Sequence, residues 1–483
     1  MNTSFLRFII GRLLMILGLL MLPSILVGLY YGNPARVIWA FVITIALCEL
    51  LGLALSYRQP DSDIFYQREG FALVSIIWLL YSFFGALPFY LSQSVGDFID
   101  AFFESVSGFT TTGASVLSSS LHILPEALMF WRSFTLLIGG MGMLVFILYI
   151  LPNFGARGVY VMRAELPGPV FGKVESRVSS SINILYSIYL VMTLVVMVLL
   201  RLGKVPWFEA ALLAMGASGT GGFNIYSNSI AHYNSDYVDL VMAIAMFIFG
   251  MSFNFFYLLY IGKWRQVLHS EELRWYVAII ALASLIIFLN INGLYQSPFQ
   301  ALKDAFFNVV SVNSTTAYTN VSIANWPVTT DIVLLFLMFT GAMSGSTTSG
   351  LKIVRIAIFF KSIRQEIRRV LAPSRVQPIK FDGKRVTHDI QRSIAFYLMT
   401  YLAVFCLVLF ILSHYTQSFS GAFNAVIATL NNIGYGLDLL GPSEDYAELA
   451  PFAKFIMCLT MLMGRLEIYP ILLSLTPRVW KKY

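Results

Sequence analysis

Runs of about 20 apolar residues, the length that crosses roughly 30 Å of hydrocarbon as a helix, recur along the chain with polar intervals between them. They predict membrane-spanning helices near 8–31, 36–57, 71–92, 127–151, 180–203, 236–262, 275–295, 329–360, 391–415 and 447–477. The first run follows Arg7 and Arg12, yet it is too long for a signal-peptide core and lacks a small-x-small cleavage site, so a retained helix is expected. Composition agrees: of 483 residues, 58% are apolar and 12% charged. An ordinary soluble domain is about 25% charged, and a disordered chain would not offer this much surface to bury. Cys48, Cys406 and Cys458 form no CxxC pair, and His122, His232, His269, His388 and His414 are scattered, which gives neither a disulfide framework nor a zinc site. An all-α polytopic membrane protein is the class that remains.

Ten spans put both termini on one side, together with 58–70, 152–178, 263–274 and 361–390. Most Lys and Arg gather there, while the opposite side holds only Arg36, Arg132, Arg201, Lys204, Lys303 and Lys454. The positive-inside rule makes the rich side cytoplasmic, which accounts for the net charge of +7 without any nucleic acid. The outer side sets thirteen acids against those six bases, a net −7. Such a face concentrates cations, although plain solvation of outer loops would give the same count.

Four outer segments share one layout, a short apolar stretch followed by small or hydroxylated residues. They read DFIDAFFESVSGFTTTGAS (97–115), PWFEAALLAMGASGTGGFN (206–224), ALKDAFFNVVSVNSTTAYT (301–319) and SFSGAFNAVIATLNNIGYG (418–436). Aligned on Gly113, Gly222, Ala317 and Gly434, each has alanine twelve positions earlier (Ala101, Ala210, Ala305, Ala422) and a large apolar residue fifteen earlier (Phe98, Trp207, Leu302, Phe419). Thirteen earlier, three are acidic (Asp100, Glu209, Asp304), near a helix start where the dipole favours negative charge. About 12 residues rise only about 18 Å as a helix, so each stretch can enter the bilayer halfway and return. Its partly negative C-terminal end then points at the membrane centre, and the small residues can turn the backbone to present carbonyl oxygens. Four copies about one axis would ring a cation with carbonyls in place of water. No carboxylate falls within 111–113, 221–223, 316–318 or 433–435, which suits a monovalent ion better than a divalent one.

The eighth span is interrupted by GAMSGSTTSG (341–350), where three glycines and five hydroxyls disfavour continuous helix. The GK[ST] ending of a phosphate loop is missing. Arg465 lies in the apolar run LTMLMGRLEIYPILL and should face protein or water. It could pair with Glu467 or cap carbonyls with no role in transport.

GFTTTGAS, SGTGGFN, NNIGYG and GRLEIYP (464–470) resemble the TrkH/KtrB family of bacterial potassium transporters, within the superfamily that holds Trk and HKT proteins. The resemblance covers essentially the whole chain, and the two extra N-terminal spans point to the TrkH branch. It implies four M1–P–M2 units, each like a potassium-channel subunit, around a pseudo-fourfold pore. The boundaries expected are 1–57 for the extension, then 58–178, 179–274, 275–390 and 391–483 for the repeats. It implies a K⁺ selectivity filter at Thr111, Thr112, Gly113, Thr220, Gly221, Gly222, Thr315, Thr316, Ala317, Asn432, Ile433 and Gly434. The carbonyls of Thr111, Thr112, Gly221, Thr316, Ala317, Ile433 and Gly434 would hold K⁺, the transported ion. One glycine per repeat lines the filter in this family, and Ala317 departs from that pattern, so its Cβ is expected to narrow or distort one quadrant. The gate expected comprises Gly341, Gly345, Ser346, Thr347, Gly350 and Arg465.

Partners implied are a second copy of the chain and a cytosolic nucleotide-binding subunit of the TrkA type, since this chain contains no nucleotide fold. The basic stretch 361–392 would meet that partner or anionic lipid. The location implied is the bacterial inner membrane, with no enzymatic role and no organic cofactor. A secondary solute transporter coupled to Na⁺ or H⁺ is the alternative, but it predicts two inverted halves. An intramembrane enzyme would need a catalytic pair that no spacing provides.

Overall fold

A computed structural model describes residues 3–60, 67–117, 124–140, 142, 178–371, 378–416, 418–434 and 446–477. The chain opens with a helical hairpin, α1 (Thr3–Tyr30) and α2 (Ala35–Ser56). Gly11 and Gly52 let the two backbones touch: a Cβ on Gly11 would lie 2.6 Å from the Gly52 carbonyl. Small residues at such a crossing are how helices pack in lipid, where the hydrophobic effect gives them little reason to associate.

Four modules follow. The first is α3 (Gln67–Leu91), the short α4 (Phe98–Phe109) and α5 (Glu126–Gly140). The second is α6 (Val178–Leu202), α7 (Trp207–Gly219), α8 (Asp236–Phe249), α9 (Phe253–Tyr260) and the single turn α10 (Trp264–Leu268). The third is α11 (Glu271–Ile291), α12 (Pro298–Asn313), α13 (Val328–Thr340) and α14 (Ile353–Leu371), with the hairpin β1 (Lys380–Phe381) and β2 (Lys384–Arg385). The fourth is α15 (His388–Leu412), α16 (Phe419–Leu430), α17 (Pro451–Arg465) and α18 (Tyr469–Ser474). In each module a long helix leads to a short one of 12 to 16 residues, which breaks and returns before the next helix.

Among the described residues, six helices are long and apolar enough to cross a membrane: α1, α2, α3, α6, α11 and α15. Three of the four remaining spans predicted from the sequence are not single helices. The 236–262 run bends by 88° between α8 and α9. The 329–360 run is broken between α13 and α14, as the GAMSGSTTSG segment predicts. The 447–477 run breaks at Arg465, where Glu467 and Ile468 take positive φ and Pro470 cannot continue the helix. Within 127–151 the helix stops at Gly140, and 143–177 lie outside the described residues. Hydropathy could not separate these cases, because a bend at membrane depth needs partners for a few main-chain groups and no loss of apolar side chains.

The fold also departs from all-helical at the hairpin. Asp382 and Gly383 both have positive φ, the two-residue turn that matches strand twist. Its Phe381 packs with Val354, Ile358 and Ile379 in a small core apart from the main one.

Candidate functional site: four returns and the loop beneath them

Each short helix ends in the same way. Thr111, Thr220, Thr315 and Asn432 are all left-handed, with φ between 51° and 57°. Two residues later Gly113, Gly222, Ala317 and Gly434 are left-handed again, with φ of 79°, 55°, 61° and 76°. The N–H groups of Thr111 and Thr112 donate to Gly108 O and Ser107 O at 3.0 and 2.8 Å. The same pair of bonds closes the other three: Thr220 and Gly221 to Ala217 and Gly216, Thr315 and Thr316 to Val312 and Ser311, Asn432 and Ile433 to Thr429 and Ala428. This is a Schellman cap whose left-handed position usually holds glycine. Three threonines and an asparagine there mean that the surroundings impose a costly conformation.

The returns meet one another edge to edge. A Cβ on Gly113 would lie 1.6 Å from Gly221 O, one on Gly222 1.7 Å from Thr316 O, and one on Gly434 2.2 Å from Thr112 O. Returns 1 and 2, 2 and 3, and 4 and 1 are thus in main-chain contact. Asn432 adds a side-chain tie to return 1, its Nδ2 donating to Thr112 Oγ1 at 2.8 Å and to Met461 O at 2.9 Å. At the seam left for Ala317 a methyl stands where the other three have hydrogen. The Ala317 φ of 61° holds a side chain in the left-handed region that favours glycine. Of the predicted set, only Tyr435, at the end of 433–435, lies outside the described residues.

Beneath the returns lies the 341–352 loop. Gly341, Gly345 and Gly350 have φ of 60°, 73° and 84°, and Lys352 has 68°. The bent α8–α9 elbow holds the loop through main chain: Met343 N–H donates to Gly250 O at 3.2 Å, and Phe253 N–H to Gly345 O at 2.9 Å. Thr347 Oγ1 donates to Phe249 O at 3.3 Å. The break in module 2 and the break in module 3 therefore satisfy each other's orphaned groups. Above, Asn313 Nδ2 donates to Gly341 O at 2.9 Å and Ser349 N–H to Thr315 Oγ1 at 3.5 Å, which ties the loop to the third return. Ser346 Oγ and Thr348 Oγ1 share a hydrogen bond at 2.7 Å inside the loop.

Arg465 crosses to this loop. Its guanidinium donates to Thr347 O at 2.5 Å and Gly140 O at 2.7 Å, and also to Gly139 O. It caps carbonyls, one of the two structural roles weighed from the sequence. In doing so it joins the loop to the end of α5. The Glu467 carboxylate takes two bonds from Arg355, at 3.0 and 2.5 Å.

Several residues carry this site without having drawn notice in the sequence. Lys352, which counts as an inner-side charge by position, is fully buried and donates to Thr348 O and Oγ1. Glu272 accepts from Ser344 N–H at 2.6 Å. Its neighbour Glu271 donates through its N–H to Asp382 of the hairpin at 2.5 Å, which links the loop to the inner face. A buried charge inside an apolar run was the only sequence signal for Lys352.

The outer acids are also more engaged than a charge count implies. Asp100 pairs with Lys454 at 2.5 Å, and Glu104 with Arg132. Lys303 bridges Asp236 (2.5 Å) and Asp239 (2.7 Å) and approaches Asp304 (3.5 Å). Glu209 accepts from Tyr226 at 3.0 Å and Tyr233 at 2.6 Å. Burial, then the carboxylate beside it, push the Tyr233 phenol above its ordinary value. These contacts tie the short helices to neighbouring elements, while Asp236 stays 65% exposed. Among the described residues no group of His, Cys, Asp and Glu is arranged to hold a metal, so side chains offer no cation cage there.

Residues 37–482 match the family model for TrkH, described as a cation transport protein. The chain is 33% identical over 98% of both lengths to the Trk system potassium uptake protein TrkH of Salmonella typhimurium. It is 31% identical over the full length of both chains to the Trk system potassium uptake protein TrkG of Escherichia coli. Its fold superposes on the crystal structure of the potassium transporter TrkH from Vibrio parahaemolyticus with TM-score 0.89, at 29% identity and full coverage of both chains.

Proposed function

The chain belongs to the TrkH family of cation transport proteins, and on that premise we propose that it is the multi-pass membrane subunit of a Trk-type system, taking up potassium ions through a gated, channel-like pore. The relatives are named potassium uptake proteins rather than enzymes. The observation that carries the reading is the left-handed, any, left-handed backbone repeated in four returns that touch edge to edge. Such a ring offers a dehydrated monovalent ion main-chain oxygens and no carboxylate.

On this reading residues 111–113, 220–222, 315–317 and 432–434 are the selectivity filter. The carbonyls of Thr111, Thr112, Gly221, Thr316, Ala317, Ile433 and Gly434 take the place of hydration water. The four pore units run 58–178, 179–274, 275–390 and 391–483, after an extension at 1–57. The 341–350 loop with Arg465 is the gate: a guanidinium under the ring repels a cation strongly where water is scarce. Both termini face the cytoplasm in the bacterial inner membrane, the chain pairs with a second copy, and a TrkA-type nucleotide-binding subunit acts on the inner face. The solute-transporter alternative would need two inverted halves, whereas the four returns share one sense along the chain.

Uptake of ⁸⁶Rb⁺ into proteoliposomes holding the purified chain tests the reading. Uptake that K⁺ suppresses, and that a small organic solute does not, is expected. No Rb⁺ uptake with or without the regulatory subunit would overturn it.

A further inference from the structure

We infer that the buried Glu104–Arg132 ion pair positions the first two returns and thereby sets ion selectivity. The inference rests on the reading of 111–113 and 220–222 as filter. Glu104, in the second turn of α4, has a fully buried side chain, and that of Arg132 on α5 is 4% exposed. A buried pair at this depth is costly unless every remaining donor and acceptor is satisfied. Here they are put to use on the returns. Glu104 also accepts from Ser115 Oγ at 3.0 and 3.2 Å and from Val116 N–H at 3.2 Å, just past Gly113. Arg132 donates to Asn224 O at 2.8 Å, two residues past Gly222, and its guanidinium carbon sits 3.7 Å from the Phe223 ring centroid. One ion pair thus clamps the outer ends of two neighbouring returns.

The clamp belongs to this seam. Nine residues before the aligned glycine or alanine, where module 1 has Glu104, modules 2 and 4 have Leu213 and Ala425. Module 3 has the neutral Asn308, whose Nδ2 donates to Asn320 Oδ1 at 3.1 Å, the reverse of the accepting role of Glu104. The charged pair lies at the seam of returns 1 and 2, and Ala317 belongs to return 3. The glycine seam between returns 1 and 2 is therefore held firmly enough to keep the ring from collapsing onto a smaller ion. The charges also offset each other, so neither adds a net field beside the ion path.

The test is the ratio of Rb⁺ to Na⁺ flux in proteoliposomes, with protein amount and melting temperature measured on the same preparations. Glu104→Gln and Arg132→Gln should each lower the ratio about tenfold, the size of one charged hydrogen bond. Arg132→Lys, which keeps the charge but not the fork, should recover part of it. Glu104→Gln should in addition slow Rb⁺ influx, because it leaves the guanidinium uncompensated. Should these variants fail to reconstitute, Ser115→Ala and Phe223→Leu remove single contacts of the clamp and should lower the ratio less. Folded variants that keep the wild-type ratio overturn the inference and leave the pore reading intact. A wild-type chain that passes no Rb⁺ with or without the regulatory subunit overturns both.

Discussion

The ring of returns and the loop beneath it are built from similar residues, small and hydroxylated, yet they are held by different means. The returns are closed by main-chain caps and by main-chain contact between modules, which at Gly113, Gly222 and Gly434 leaves no room for a single added carbon. The loop is held by two main-chain bonds to the α8–α9 elbow and by side chains from Arg465, Lys352, Asn313 and a carboxylate at Glu272. Main-chain contacts of the first kind cannot loosen without unwinding a helix end. Side-chain contacts of the second kind can be exchanged for water one at a time. The contrast teaches that one element is suited to a fixed diameter and the other to movement.

Substitutions can break that comparison or sharpen it. The largest effect is expected at Gly222→Ala, whose Cβ would fall 1.7 Å from Thr316 O at a left-handed φ. Rb⁺ uptake should drop by about a hundredfold or more, as the ring cannot admit the methyl without opening. Near-normal uptake would mean the returns are as yielding as the loop. Next comes Arg465→Ala, which frees Thr347 O, Gly139 O and Gly140 O. Basal uptake without any regulatory subunit should rise about tenfold as the repelling charge goes, and an unchanged rate would reduce Arg465 to a structural cap. Glu272→Ala removes the carboxylate to which Ser344 N–H donates and should raise basal uptake about threefold, the scale of one hydrogen bond; hydrogen exchange across 341–352 should quicken in step. The smallest effect is expected from Ala317→Gly, which removes the one Cβ found at the second left-handed position of the four returns. The Rb⁺ to Na⁺ permeability ratio, read from reversal potentials, should rise about twofold, while identical ratios would show that this Cβ does not contribute.

Much of this molecule is legible along the chain. Residue pattern alone marks the helices α1, α2, α3, α6, α11 and α15 to within a few residues, because membrane solvent demands apolar length. The alignment on Gly113, Gly222, Ala317 and Gly434 marks the short helices and their returns. It does not reveal that Thr111, Thr220, Thr315 and Asn432 are left-handed, since threonine gives no hint of that conformation. Nor does it distinguish Glu104 and Arg132 from charges in outer loops, although both are buried in protein.

The sequence by itself determined the membrane as solvent, the repeated modules and the position of the interrupted helix, because each depends on local composition and spacing. Tertiary structure alone decided which break satisfies which. Gly250 O and Gly345 O have partners only because two modules meet, and Arg465 finds its carbonyls in modules 1 and 3. Hydrogen bonds between residues about a hundred or more positions apart depend on how the modules close on one another, and no local pattern encodes that closure.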